Sequence, residues 1–317
     1  MRDFDEQAAE AARARQAQLT KPQGSLGRLE DLAIFMAGWQ GTDRPRLNRA
    51  QALVFAGNHG VVAQGITPFP PEVTAAMVRN FDAGGAAINQ LCRAAGAELS
   101  VIALDLDRPT ADFTQGPAMT QAEVMEAMAK GAAAVDPEAH VLLLGEMGIG
   151  NSTTSAALAA AIFGGPAEDW VGQGTGAAAD MLAAKIWVVA EGLARHQPVG
   201  TVDTLAAFGG REQAAICGAI LRARELRIPV LLDGFICTAA AAVLTRDDPE
   251  ALTHCLIGHE SAERGHRRLI AALNMAPVLS LEMRLGEGSG AALALMILRA
   301  ALECHNGMAT FAEAGIG

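Results

Sequence analysis

Short β-rich apolar runs separated by long alanine-rich stretches constrain this chain more than any other feature. The runs are Ala52–Ala56, Leu99–Leu104, Val141–Leu144 and Pro229–Asp233, with Pro277–Leu281 a weaker fifth. None alternates strictly between apolar and polar residues, which suits strands covered on both faces. Helical patterns over roughly 71–95, 121–135, 152–163, 177–195, 211–226 and 289–303 separate them. Strand, helix, strand in succession predicts an α/β fold with a wound parallel sheet. In such sheets the ligand crevice lies beyond the carboxyl ends of the strands, which draws attention to Gly57–Gly60, Asp105, Gly145–Gly148 and Asp233–Gly234. The first forty or so residues and the last thirty read as helical, with no strand of their own, and could form a smaller helical layer together.

Composition narrows the partners. With 317 residues, 51% hydrophobic and 19% charged, the chain can bury a large core. A formal charge of -11 without any Lys/Arg run argues against nucleic acid or an anionic membrane and for a small molecule. Five widely spaced cysteines without a C-x-x-C pair read as reduced core packing in a cytoplasm. The mixed-charge start has no signal-peptide core, and no apolar segment is long enough to span a bilayer.

Gly145–Thr154, GEMGIGNSTT, sits where a strand turns into a helix and resembles a phosphate loop with Asn151 in place of the lysine. Free amides at a helix start, close glycine backbone and the positive end of the helix dipole make an anion pocket without a side-chain cation. Lacking the lysine, the loop is poorly equipped for triphosphate chemistry and suits one phosphate, as in a mononucleotide. The candidate contacts are Met147, Gly148, Gly150, Asn151 and Ser152. Taken alone, the stretch also reads as an ordinary strand-to-helix turn with Asn151 or Ser152 as N-cap. Glu146, a carboxylate beside that pocket, is electrostatically awkward unless it has a task.

Other segments are less specific. Val171–Gly176 is a second glycine-rich loop, leading into a helix that carries Lys185, which is either the missing cation or a solvated lysine. His59 is a base, a metal ligand or a local hydrogen-bonding residue. Phe69 and Met77 flank a proline-rich stretch and could wall a flat ligand, although both also suit a core. Ile257–His266 holds two histidines and two glutamates, but its H-E-x-x-E-x-x-H spacing is wrong for a zinc helix, so it reads as a polar helix start and no metal is expected. Gly286–Gly290, with Gly288 and Ser289, repeats the anion-pocket pattern more weakly. Glu313 lies in a tail flanked by Phe311 and Ile316, which argue for anchoring, whereas chain ends ordinarily fray.

Taken together, eight segments resemble the nicotinate-nucleotide:dimethylbenzimidazole phosphoribosyltransferases of cobalamin lower-ligand synthesis. They are Lys21–Glu30 (KPQGSLGRLE), Ala56–Val61 (AGNHGV), Gly84–Asn89 (GGAAIN), Gly145–Thr153 (GEMGIGNST), Phe208–Glu212 (FGGRE), Leu232–Phe235 (LDGF), Leu285–Ala291 (LGEGSGA) and Phe311–Gly315 (FAEAG). They occur in order from residue 21 to nearly the last, so the similarity covers the whole chain.

The resemblance implies a Rossmann-like sheet domain over 45–284, a small helical domain from 1–44 and 285–317, and a homodimer. It implies transfer of the 5-phosphoribosyl group of nicotinate mononucleotide to a benzimidazole-type base, giving α-ribazole 5′-phosphate and nicotinate without a cofactor. It assigns Glu313 as general base, in an apolar setting that raises its pKa. Glu146 would position the base ring or stabilise positive charge on the ribose. The phosphate would meet amides around Met147, Gly148, Gly174 and Gly176, with Lys185 as cation, and Phe69, Met77 and Met147 would wall the aromatic pocket. The preferred base stays open among benzimidazole, purine and phenol. Asn58 stands where some relatives carry Asp. The competing readings are a mononucleotide-binding regulator without transferase activity and a nicotinamide-dependent dehydrogenase, the latter weakened by the lack of G-x-G-x-x-G after the first strand.

Overall fold

The computed structural model describes residues 3–172 and 179–316. Two helices, α1 (Glu6–Gln18) and α2 (Arg28–Gln40), precede β1 (Ala50–Ala56). Then come α3 (Glu72–Asp82), α4 (Ala87–Ala95), β2 (Ala97–Ala103), α5 (Gln121–Ala134), β3 (Val141–Met147) and α6 (Asn151–Phe163). Three helices follow, α7 (Ala179–Arg195), α8 (Gly200–Phe208) and α9 (Arg211–Leu226), before β4 (Val230–Leu232) and α10 (Phe235–Val243). The described chain closes with β5 (Cys255–Glu260), α11 (Arg264–Ala272), β6 (Pro277–Ser280) and α12 (Ser289–Gly307).

All six strands are parallel, in the order β2-β1-β3-β4-β5-β6. The wound sheet expected from the apolar runs is present, and both its faces are covered. Leu142 and Leu144 enter one apolar cluster with Leu53, Phe55, α6, α9 and α10. Their neighbours Val141 and Leu143 enter the other, with Val54, α2, α4 and α12. Successive side chains of a strand point to opposite faces, so a strand buried on both sides must be apolar throughout. That is why the runs showed no alternation.

The two chain ends meet. Leu19 bridges Thr310, Phe311 N–H donates to Gln18 O, and Arg15 donates to the carbonyls of His305, Asn306 and Met308 at the end of α12. The apolar cluster of α2 and α12 continues onto the sheet through Ala52, Val54 and Leu143.

The structure corrects three element expectations. The helix expected over 71–95 is two helices, parted at Gly84, whose φ of +76° ends α3. The polar helix start expected at Ile257–His266 opens as the end of strand β5, which runs to Glu260, and α11 begins only at Arg264. Gly258 in this strand is there for packing: a Cβ on it would sit 2.9 Å from Ala291 Cα of α12. Helices α8 and α10 were not expected at all, because almost every residue of α10 is buried and leaves no polar face to give it a helical period.

Candidate active site

A cleft opens at the carboxyl ends of β3, β4 and β5, roofed by Ile66–Pro68 and by Arg284–Glu287. It encloses about 900 Å³ when its solvent-open mouth is included. Glu146, Met147, Gly148, Gly150, Asn151, Ser152 and Lys185 all line it. Seven of the residues singled out from sequence are thus brought together.

The phosphate-loop resemblance at Gly145–Thr154 corresponds to a real strand-to-helix turn. Gly150 takes a φ of +95° and leads directly into α6. Three amides of the turn already have acceptors: Ile149 N–H donates to Thr74 Oγ1, Asn151 N–H to Gly148 O, and Thr153 N–H to Gly150 O. Lys185, on α7, is almost fully buried and donates to Ser152 Oγ at 3.1 Å. Burial pulls its pKa down, while Glu263 pulls it up. A lysine buried beside a helix start is no solvated surface residue; its charge faces the turn that lacked one.

Carboxylates crowd the opposite wall. Glu146 is buried, accepts from Asn151 Nδ2, and is pushed up to about 8, first by burial and next by Asp233. Asp233, at the end of β4, accepts from the Gly288, Gly290 and Ala291 amides at 3.1, 2.7 and 3.1 Å. It therefore caps α12. The amides of the anion pocket expected at Gly288 and Ser289 are already engaged: Gly288 N–H donates to Asp233 and Ser289 N–H to Gly286 O.

Glu287 is the residue whose importance the sequence did not reveal. It adopts a φ of +65° between Gly286 at +87° and Gly288 at +88°, the one residue of the three that carries a side chain. A non-glycine residue in the left-handed region costs free energy and points to a functional constraint. The residue is only 6% exposed, lines the cleft, and has a buried Oε2 without a hydrogen-bond partner among the described residues. Burial raises its pKa, opposed by a backbone hydrogen bond at Ile88. The loop lies directly on the glycine turn: a Cβ at Gly286 would meet Glu146 Oε1 at 2.5 Å, and one at Gly145 would meet Glu287 O at 2.6 Å. The available signal was a carboxylate in a glycine-rich stretch immediately before a helix.

Glu313 is placed elsewhere. Helix α12 starts beside Asp233 in the cleft and runs 19 residues, about 28 Å, to the segment Asp43–Leu47 that precedes β1. There Glu313 is exposed, and Thr310 N–H donates to its Oε2 at 2.7 Å while Glu313 N–H donates to Thr310 Oγ1. The Thr310 hydrogen bonds lower its pKa. The apolar setting expected to raise it is not supplied by its own chain.

The remaining expectations divide. Phe69 is 41% exposed beside the cleft-lining Pro68, and Met77 packs into the apolar cluster under α12 rather than into the cleft. Gly174 and Gly176 lie outside the described residues. His259 is buried on β5 with Nε2 3.6 Å from Asp233 Oδ1. His266 accepts from Ser261 N–H through Nδ1 and pairs with Thr238 Oγ1, and burial lowers its pKa to about 3. No group of three or more His, Cys, Asp or Glu among the described residues is arranged to hold a metal. No described helix is long and apolar enough to cross a membrane.

Comparison with known proteins agrees with this geometry. A family model described as phosphoribosyltransferase matches residues 1–316. The nicotinate-nucleotide–dimethylbenzimidazole phosphoribosyltransferase of Rhodobacter capsulatus is 63% identical over 312 residues, covering 98% of this chain and 93% of that protein. The protein of the same name from Ruegeria pomeroyi is 60% identical over the same shares of each. Among solved structures, the crystal structure of the Thermus thermophilus enzyme of that name superposes with a TM-score of 0.93 at 41% identity, covering 99% of both chains. With a wound parallel sheet, a lysine-bearing anion turn and buried carboxylates in one cleft, the chain belongs to the nicotinate-nucleotide–dimethylbenzimidazole phosphoribosyltransferase family.

Proposed function

We propose that this cleft transfers the 5-phosphoribosyl group of nicotinate mononucleotide to a ring nitrogen of 5,6-dimethylbenzimidazole or a related base, with Glu287 as the proton acceptor. Nicotinate leaves C1′ of a cationic pyridinium glycoside as a neutral ring nitrogen, so its departure needs no proton. The incoming benzimidazole nitrogen bonds C1′ with its lone pair. Its second nitrogen must then lose a proton, which passes to the Glu287 carboxylate. The observation that carries this assignment is a strained, buried glutamate facing the cleft with an unpartnered oxygen. Raised basicity suits a general base, whose efficiency is greatest when its pKa is near the working pH.

The phosphate ester rests on the turn before α6. With Ile149, Asn151 and Thr153 amides occupied, the amides of Gly148, Gly150 and Ser152, which have no acceptor among the described residues, supply the donors, and Lys185 supplies the cation. Glu146 lies against Asp233 and Glu287, and this carboxyl-rich wall, with its acceptor oxygens, suits the pyridinium and the positive charge that grows on the ribose as nicotinate departs. Met147 and the rim at Phe69 and Leu285 offer apolar surface to the flat base. Exposed Trp187, Leu281 and Leu285, each more than half accessible, favour a homodimer that covers them. A second copy is also the route by which an exposed Glu313 could approach a cleft.

The direct test supplies nicotinate mononucleotide and dimethylbenzimidazole and follows nicotinate and α-ribazole 5′-phosphate. Their stoichiometric appearance is expected. Nucleotide binding without release of nicotinate would leave a regulatory protein instead.

A further inference from the structure

A wound sheet ordinarily offers its crevice at the point where the crossovers part, here between β1 and β3. In this protein that point is filled. His59, just after β1, places Nε2 2.7 Å from Oε1 of Glu212 in the first turn of α9, and both side chains are fully buried. Three glycines close around them. A Cβ would lie 2.3 Å from Glu212 Oε2 at Gly57, 3.0 Å from His59 Nε2 at Gly148, and 2.3 Å from His59 Cε1 at Gly210.

The next residue extends the connection. Gln213 Oε1 accepts from Gly210 N–H at 2.8 Å and from Thr154 Oγ1 at 3.2 Å, and Gln213 Nε2 donates to Ser155 Oγ at 2.8 Å. A buried polar chain therefore runs from the end of β1, through the start of α9, to the second turn of α6. Gly148 lies directly on it. Apolar side chains could fill the same space without the desolvation cost of a buried pair, so the pair is weak evidence of stability in itself. What it adds is direction: a hydrogen bond held at a helix start fixes both the distance and the angle between two elements.

We infer that His59 and Glu212 are positioning residues for the substrate phosphate, setting the Gly148 backbone and the start of α6 at the height where their amides meet the ester. This rests on the phosphate assignment made above. Neither side chain touches the substrate. The pair acts through the backbone it supports, so its loss weakens grip on the phosphate rather than proton transfer.

The experiment compares nicotinate mononucleotide with nicotinate riboside, which lacks the phosphate, using the full-length protein. In the double variant His59→Leu/Glu212→Leu, kcat/KM for the nucleotide should fall about 10–100-fold, mainly through KM, while the riboside value stays within about threefold. Glu212→Gln keeps an acceptor for the His59 Nε2–H and should restore the nucleotide value. Should the double variant not fold, His59→Asn withdraws the ring nitrogen from Glu212 and allows the same comparison. Equal losses with both substrates, or an unchanged preference for the nucleotide, would overturn the inference. Lys185→Ala separates the two levels. If it abolishes the preference while the pair variants retain it, the inference alone fails; if the preference survives every variant, the phosphate assignment falls and takes the inference with it.

Discussion

The loop Gly286–Gly290 and the tail Thr310–Gly315 each carry one glutamate among small residues, and the fold treats the two in opposite ways. Glu287 lines the cleft, buried, strained and raised in pKa, with Oε2 lacking a partner among the described residues. Glu313 is exposed, hydrogen-bonded to Thr310 and lowered in pKa. Between them in the chain stands α12, a helix about 28 Å long. A carboxyl acquires base character from desolvation and from its neighbours, not from the composition of its flanking residues.

The largest effect should come from the loop. Glu287→Gln should fold and bind nucleotide normally while turnover drops by about 10²–10⁴-fold, as expected on losing a general base. Steady-state kinetics at saturating nucleotide would show it, and full activity would remove Glu287 from the mechanism. In the wild type, activity should rise with pH as Glu287 ionises, with the midpoint displaced upward from an ordinary glutamate.

Lys185→Ala should raise KM for nicotinate mononucleotide about tenfold or more, with a smaller change in kcat, since the charge acts on a phosphate remote from the breaking bond. A KM that does not move would separate Lys185 from the phosphate.

Glu146 sharpens the comparison through stability. Its pKa lies near 8 in the folded chain against 4.5 when unperturbed. Between those values the folded state holds a proton that the unfolded state has released, so this group's contribution falls as pH rises and levels off above about 8. The slope is at most about 1.4 kcal/mol per pH unit. Glu146→Gln should flatten the decline in Tm across that interval. A variant as pH-sensitive as the wild type would place the titration elsewhere.

Glu287→Gly should relieve the left-handed strain and remove a buried carboxyl, raising stability by about 1 kcal/mol, or about 2 °C in Tm, as activity is lost. The smallest effect belongs to the tail. Glu313→Gln should change turnover by less than about threefold, because an exposed carboxyl at the far end of α12 has no proton to collect. A collapse in turnover would break the comparison and show that a second copy delivers this residue to the cleft; sedimentation would then have to reveal the dimer.

How much was readable follows from which residues had local signatures. The glycine turn before α6 could be recognised because an anion site made of helix-start amides requires small residues at fixed spacing. Lys185 was legible as a candidate but not as a buried cation, since its partner Ser152 comes from another helix. Strand β5 was not legible: Gly258 and His259 look like turn residues until α12 is laid against them. For Glu313, the tail itself held a warning. Thr310-Phe-Ala-Glu313 has the spacing of a capping box, and its side chains satisfy each other's amides as that pattern predicts.

The apolar runs and their spacing by themselves determined a parallel sheet covered on both faces, because backbone hydrogen bonding and burial leave few other ways to hide such runs. They also placed an anion turn after β3, because that chemistry is written in adjacent residues. Only the tertiary structure decided which carboxyl is buried along the cleft and what occupies the gap between β1 and β3. Both depend on desolvation and on distances between residues far apart in the chain, and those quantities exist only once the helices have packed.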